Sequence, residues 1–388
     1  MATLIWNAKI HTPTGVLSPG WLLIENRTIT RLGEGGPPEF KTEPLEKIDA
    51  RQNYLLPGLI DLHIHGAMGY EFMDADQHAI EEIARFLASR GITAFLATTW
   101  AAPQTMLLKV LDAIGNAYGR IRGGATLLGA YLEGPYLNPN RAGAQAIQFI
   151  RLATNREEAL SLISHEMVKV ISLAPEIPEN FWLIDECVSR GITVAAGHTS
   201  ATFEQMQIAV QRGVRLLTHC FNAMSPLHHR EPGAAGAGLV MPELRCELIA
   251  DNIHVHPIVQ RILYQLRGVE GIVLISDSTR VTGLPDGQYI LDNRPVQVKG
   301  SRVCLMDGTL AGSGLTLDLA LHNFMNATGL PLEKAILSAS LYPARLLGIA
   351  HQKGSLEPGK DADLFLMDRA GKILITIVEG KIVYNAEE

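Results

Sequence analysis

His63 and His65 are the first residues in this chain whose type and spacing could do chemistry. They lie in Pro57-Gly58-Leu59-Ile60-Asp61-Leu62-His63-Ile64-His65-Gly66, where Asp61 and the two histidines alternate with apolar residues. Alternation of this kind belongs to a strand, which points successive side chains to opposite faces. The two imidazoles therefore share one face, with Asp61 behind them. Two imidazoles at i and i+2 at the end of a buried strand can grip one metal ion. A lone His-X-His is more simply a pair of surface or capping side chains. That explanation is weak here, because three polar side chains on one face of an apolar strand are costly to bury unless paired or ligated.

Four more residues extend the constellation. Glu133 follows the apolar run Thr126–Leu132, His198 follows Ile192–Gly197, His219 follows Val214–Thr218, and Asp277 follows Gly271–Ser276. The candidate metal ligands are thus His63, His65, Glu133, His198 and His219. Imidazole nitrogens with one carboxylate suit zinc or ferrous iron better than magnesium or calcium. A metal with an open position lowers the pKa of bound water to about 7. Asp277 is the candidate catalytic residue, since a carboxylate facing such a water can take its proton and pass it to a leaving group. Alone, Asp277 would read as a turn or cap residue; its place across from the histidines argues otherwise. The chemistry is metal-assisted hydrolysis, most simply of an amide-type C–N bond.

The elements that must position these groups alternate strand and helix. Helical periods run over 75–90, stopping at Gly91, over 102–120, up to Arg190-Gly191, and over 203–212, stopping at Gly213. Eight strand-like runs, from Leu59–His65 to Gly271–Asp277, lie among them. This pattern predicts a parallel (β/α)8 TIM-like barrel, with an open doubly wound sheet as the alternative. The barrel is favoured because His63, His65, Glu133, His198, His219, Asp251 and Asp277 all fall at or just past C-terminal strand ends, where barrel enzymes carry their active sites. Residues 1–52 read as short strands joined by turns, and strand patterns return at 362–367 and 373–384. The expected organisation is a small β-sandwich domain built from 1–52 plus 353–388, around a catalytic barrel at 53–352. A turn-rich insertion with β-like pieces lies between Thr279 and Leu315, followed by helical stretches at about 316–327 and 332–347.

Composition narrows the function classes. The formal charge of −7 opposes a nucleic-acid footprint, which would be basic. Hydrophobic residues at 47% and charged residues at 19% describe a chain with a large core. Cys187, Cys220, Cys246 and Cys304 are scattered without a C-x-x-C pair, as thiols in a reducing compartment would be. The first residues lack a signal-peptide pattern and no run is long enough to span a bilayer, so a cytoplasmic protein without a membrane partner is expected. His228 and His229 are adjacent and expected in a loop near the substrate mouth. Cys220 is expected to pack in the core, away from His219.

These stretches together resemble the amidohydrolase superfamily: an Asp-X-His-X-His strand, two later single histidines and a final aspartate. Glu133-Gly134-Pro135-Tyr136-Leu137-Asn138, Gly197-His198-Thr199, Thr218-His219-Cys220-Phe221-Asn222-Ala223-Met224-Ser225, Arg230-Glu231-Pro232-Gly233 and Gly308-Thr309-Leu310-Ala311-Gly312-Ser313 resemble the branch acting on acetylated amino-sugar phosphates. The resemblance implies hydrolysis of the N-acetyl group, with release of acetate and a free amine. It implies that Glu133, His198 and His219 hold a metal, that His63 and His65 hold a second ion in some members, and that Asp277 is catalytic. It also implies that Ala144, Asn222, Ala223, Arg230, His254, Ala311, Gly312 and Ser313 contact sugar or phosphate, and that the protein is a homodimer with Arg230 or His254 reaching across. Arg230 offers a planar fork of donors suited to phosphate oxygens. Gln145 departs from the pattern, since some members carry a histidine there. Glucosamine and galactosamine phosphates are not separated by these motifs. Competing expectations are a cyclic-amide hydrolase, which leaves Arg230 and His254 without a task, and a non-catalytic scaffold, which would have lost ligands.

Overall fold

The fold is that of a computed structural model describing residues 2–40 and 44–387; Met1, residues 41–43 and Glu388 of the expected small domain lie outside the described residues. Eight strands form the barrel: β1 (Leu59–Ile64), β2 (Ile92–Thr98), β3 (Thr126–Glu133), β4 (Val168–Leu173), β5 (Thr193–Ala196), β6 (Val214–Leu217), β7 (Arg245–Ile249) and β8 (Ile272–Ile275). Neighbours pair in parallel in chain order. The ring is nearly closed between β8 and β1, where Asp277 N donates to His63 O at 2.9 Å and His65 N to Ser278 O at 2.8 Å. Both faces of a parallel sheet are covered, which is why β1 and β2 are buried at every residue.

The helices between strands follow their own signals. Asp76 caps the helix Gln77–Ser89 by accepting from Ala79 N, and Ile80, Ile83, Ala84 and Leu87 turn to the core. Each large side chain buried this way contributes roughly 1.5–3 kcal/mol. Thr202 and Gln205 form a capping box on Phe203–Arg212. The helix expected over 102–120 is shorter, Gln104–Ala117. Tyr118 is extended there, and Gly119–Arg120 pairs with Thr126 and Leu127 at the start of β3.

The two chain ends meet in one eight-stranded sheet. Its strands are Ala2–Thr12, Gly15–Glu25, Thr28–Glu34, Leu45–Asp49, Tyr54–Pro57, Leu364–Met367, Ile373–Val378 and Lys381–Asn385. Alternate residues feed opposite faces: Ile5, Leu22 and Ile24 join one apolar cluster, and Leu4, Trp21 and Leu23 another. An ion cluster ties the ends together. Lys353 Nζ lies 2.9 Å from Asp361 Oδ2 and 2.6 Å from Asp363 Oδ2, and Arg27 bonds Asp361 and reaches Glu379. Burial opposes the charge on Lys353, but Asp363 and Asp361 outweigh it and raise its pKa. Lys353→Met should therefore strand Asp363 in the interior and destabilise the fold by about 3–5 kcal/mol. A drop in thermal midpoint without change in site chemistry would confirm this; an unchanged midpoint would refute it.

The insertion after β8 is a four-stranded antiparallel sheet, Gly287–Leu291, Arg294–Lys299, Arg302–Leu305 and Leu310–Ser313. The helices Leu317–Thr328, Leu332–Ala335 and Leu341–Leu346 follow. No helix among the described residues is long and apolar enough to cross a membrane.

Candidate active site

The C-terminal ends of the barrel strands bring the polar residues into one cluster. His198 Nε2 and His219 Nε2 are 3.2 Å apart, and Glu133 Oε1 lies 3.1 and 3.0 Å from them. Glu133 Oε2 faces His65 Nε2 at 3.5 Å, while Oε1 is 3.7 Å from His63 Nε2. Asp277 Oδ1 lies opposite, 3.2 Å from His65 Nε2 and 3.6 Å from His63 Nε2. Two overlapping groups, His63–His65–Glu133 and Glu133–His198–His219, have ligand atoms close enough to hold an ion.

The donor set fits a cation. Atoms about 2.0–2.1 Å from a tetrahedral metal are about 3.3–3.4 Å apart, close to the spacings here. Three rings share one arrangement. His63 Nδ1 bonds Glu247 Oε2 at 3.1 Å, His198 Nδ1 bonds Arg141 O at 2.8 Å, and His219 Nδ1 meets Asn222 O at 3.3 Å. An Nδ1–H given to an outer acceptor leaves the Nε2 lone pair facing inward, as metal-ligating histidines are held. His63 Nε2 is buried with no hydrogen-bond partner. Burial disfavours charge on His63, but Glu133, Glu247 and Asp277 raise its pKa to about 10. Burial alone would raise Glu133; the His63, His198 and His219 rings hold it well below the usual carboxylate range.

The backbone carries strain where the site is built. His198, His219 and Asp277 take positive φ, at 46°, 31° and 49°. Non-glycine residues there cost of order 1–3 kcal/mol each and persist only where surroundings over-determine them. Gly197 permits the close approach before His198: a Cβ there would sit 2.2 Å from Ser172 Oγ. Asp277 is fixed by β1 through His63 O and by Ser313 N, which donates to its carbonyl at 2.8 Å.

A cavity of about 280 Å³ opens over the cluster. Of the residues expected to contact substrate, Ala144, Asn222, Ala223, His254, Ala311 and Gly312 line it. Asp251 Oδ2 accepts from His254 Nδ1 at 2.7 Å, leaving Nε2 for the cavity. Arg230 and Ser313 are not on the wall. Arg230 is exposed, bonded to His229, and Ser313 is buried with its hydroxyl on Ser276 O. His228 and His229 are also exposed and off the wall, and Cys220 packs in the core. His63 lies beneath the floor, fully buried.

The structure adds residues that the sequence reading did not single out for the site. Trp100 lies beside His65, with ring centroids 5.5 Å apart and planes tilted by 35°. Arg294, from the insertion sheet, reaches over to donate to Ala144 O at 2.6 Å. Gln145, already marked in the sequence as a departure, does not merely replace a histidine: its Nε2 donates to Glu133 Oε2 at 2.6 Å, and its Oε1 accepts from Ala101 N at 2.8 Å. Glu247, fully buried in β7, contacts two of the histidines. A carboxylate inside the apolar run of β7 was the available signal for it.

Comparison with known proteins agrees with this geometry. The amidohydrolase family matches residues 54–383. The N-acetylglucosamine-6-phosphate deacetylase of Vibrio furnissii is 39% identical over 365 residues, 93% of this chain and 90% of that protein. The N-acetylgalactosamine-6-phosphate deacetylase of Escherichia coli O157:H7 is 36% identical over 353 residues, 91% of this chain and 93% of that one. The crystal structure of N-acetylglucosamine-6-phosphate deacetylase from Pasteurella multocida superposes with a TM-score of 0.91 at 28% identity, over 98% of this chain and 99% of that one.

Proposed function

This chain belongs to the amidohydrolase family, and on that premise we propose that it hydrolyses the acetamido group of N-acetylglucosamine 6-phosphate to glucosamine 6-phosphate and acetate. The observation that carries this reading is the cavity itself, with His65, Glu133, His198 and His219 on its floor, His63 just beneath, and Asp277 across from them. The donor set suits zinc or ferrous iron, one or two ions per chain. Glu133, His198 and His219 would hold one ion, and His63 and His65, with Glu133, a second. A divalent ion bound there supplies a Lewis acid for the acetyl carbonyl and lowers the pKa of a bound water to about 7.

The chain's own groups do the rest. Asp277 takes a proton from the attacking water at Oδ1 and returns it to the amine nitrogen as the C–N bond breaks. Asn222, Ala223, His254 and the Ala311-Gly312 backbone orient the sugar, and Trp100 screens His65 from solvent. A cyclic-amide hydrolase is less well supported, because Glu133 spans the two groups and no lysine lines the cavity among the described residues. Acetate release from N-acetylglucosamine 6-phosphate, run beside its galactosamine epimer with metal content determined on the same sample, tests the reading. No release from either sugar phosphate by metal-loaded protein would overturn it.

The protein acts in the cytoplasm as a homodimer. All four cysteines are free and buried, as suits a reducing compartment. Arg230 stands exposed outside its own cavity, so it serves the phosphate in the partner's cavity, while His254 serves its own. A charge-assisted pair of this kind contributes about 1.5–3 kcal/mol. Arg230→Ala should raise KM roughly ten- to hundredfold for the phosphorylated sugar and change it little for the unphosphorylated one. Equal losses on both substrates would count against the assignment. Mixing Arg230→Ala chains with Asp277→Asn chains should restore part of the activity, since one cavity per mixed dimer then has both groups.

A further inference from the structure

Glu247 is a buried carboxylate that the proposed reaction does not use. It sits on β7 inside the barrel, with no exposed surface. The polar groups around it form a layer under the cavity floor: Tyr131 Oη pairs with Thr218 Oγ1 at 3.0 Å, and Thr218 Oγ1 with Ser172 Oγ at 2.7 Å. One oxygen of Glu247, Oε2, meets His63 Nδ1 at 3.1 Å and accepts from His219 N at 3.2 Å. Its other oxygen, Oε1, has no partner. A single carboxylate oxygen thus joins the strand that carries His63 to the strained turn that carries His219.

We propose that Glu247 is the positioning residue that sets the tautomer and ring orientation of His63, so that its Nε2 lone pair is presented to a divalent cation shared with His65 and Glu133. The inference rests on the metal-dependent reading above. An ionised carboxylate only accepts hydrogen bonds, so the Nδ1 facing it carries the proton. In the neutral ring Nε2 is then bare. It faces Glu133 Oε1 at 3.7 Å and Asp277 Oδ1 at 3.6 Å, both too far for a hydrogen bond and both acceptors. A lone pair aimed at two anionic oxygens in a dry interior is satisfied by a cation between them. Of the three outer acceptors on the histidine rings, those of His198 and His219 are backbone carbonyls, which removal of the Glu247 carboxylate leaves in the chain; the one on His63 is Glu247 itself. The group containing His63 is therefore the one whose ion can be removed from behind.

The test strips the protein with a chelator and titrates it with Co(II), counting ions per chain and following the visible Co(II) absorption. Wild type should take an ion at each group. Glu247→Met keeps the volume but offers no acceptor. It should weaken the His63–His65 ion by about 10–100-fold, the range for loss of an outer partner, and the Glu133–His198–His219 ion by clearly less, since His219 loses only its backbone contact to Glu247 and keeps Asn222 O on its ring. Glu247→Gln retains an oxygen that can accept both N–H groups and should bind both ions within a few-fold of wild type. The proposal is overturned if Glu247→Met binds both ions as wild type does, if Gln loses as much as Met, or if wild type takes no ion at the His63–His65 group. Wild type that takes no Co(II) at all would bring down the metal-dependent reading too, whereas one retained ion at His198 and His219 would leave that reading standing.

Discussion

Asp277→Asn should keep metal and substrate binding while kcat falls by about 10²–10⁴, the range for removal of a general acid–base group. The side chain's position makes this separation of effects possible. Asp277 lies at the end of β8, its backbone pinned between His63 O and Ser313 N, with φ at 49°. Asparagine adopts that backbone region more readily than most residues, so the variant keeps the turn. It also keeps the shape of the carboxyl group but cannot carry a proton. Attack needs a proton removed from water, and collapse toward products needs one delivered to nitrogen, since an amide anion is a very poor leaving group. Both transfers are assigned to one oxygen, Oδ1, which is why a single isosteric change should stop the cycle. Two other carboxylates past β7 come near the cavity among the described residues: Asp292 lines it but is paired with Arg294 at 3.3 Å, and Asp251 has both oxygens occupied, Oδ1 accepting from the Ile253 and His254 backbones and Oδ2 from the His254 ring. Kinetics on the Asn variant with its ion content confirmed make the test. A rate close to the native one would move the proton transfer to a histidine or to Asp251.

The barrel and its floor were legible in the sequence because both rest on local patterning. The run Leu59–Ile64 alternates Asp61 and His63 with apolar residues, and strand geometry converts that directly into a shared face. The same reasoning missed Glu247 in Cys246-Glu247-Leu248-Ile249, although one carboxylate in an apolar strand is the same signal with one polar residue in place of three. Helix ends were less legible: nothing in Ala117-Tyr118-Gly119-Arg120 announces that Gly119 and Arg120 leave the helix to pair with β3, since that pairing is made by tertiary contact. The cavity wall was read well where a motif carries it, as at Asn222-Ala223, and poorly where distant segments supply it. Arg294 arrives from the insertion sheet and Trp100 from the turn after β2, and no spacing rule links either to His65. Arg230 and Ser313 show the opposite limit. A motif places them near a substrate, but whether a side chain faces the cavity, the solvent or the barrel interior is decided by the fold.

His198→Asn should remove the ion from the Glu133–His198–His219 group and lower the rate by at least ~10³, because the reaction would lose the lowering of water's pKa to about 7 that a metal there would provide. Asparagine is the informative choice over alanine. His198 holds φ at 46°, a conformation that asparagine adopts at lower cost than alanine. Stability losses from backbone strain are then separated from loss of the ligand, and the metal-free variant should unfold within about 1 kcal/mol of the metal-free native chain. The ring it replaces has both nitrogens engaged, Nδ1 on Arg141 O and Nε2 beside Glu133 Oε1 and His219 Nε2. An asparagine side chain is too short to reach both. With Nε2 gone, Glu133 and His219 are two ligands where three were held, and a cation bound by two protein groups exchanges readily with solvent. The His63–His65–Glu133 group keeps all its members, so it should still take an ion, and the measured content should fall by one ion per chain and not to zero. Full metal content together with a full rate in His198→Asn would show that the group built on β5 and β6 is not where the reaction's cation sits.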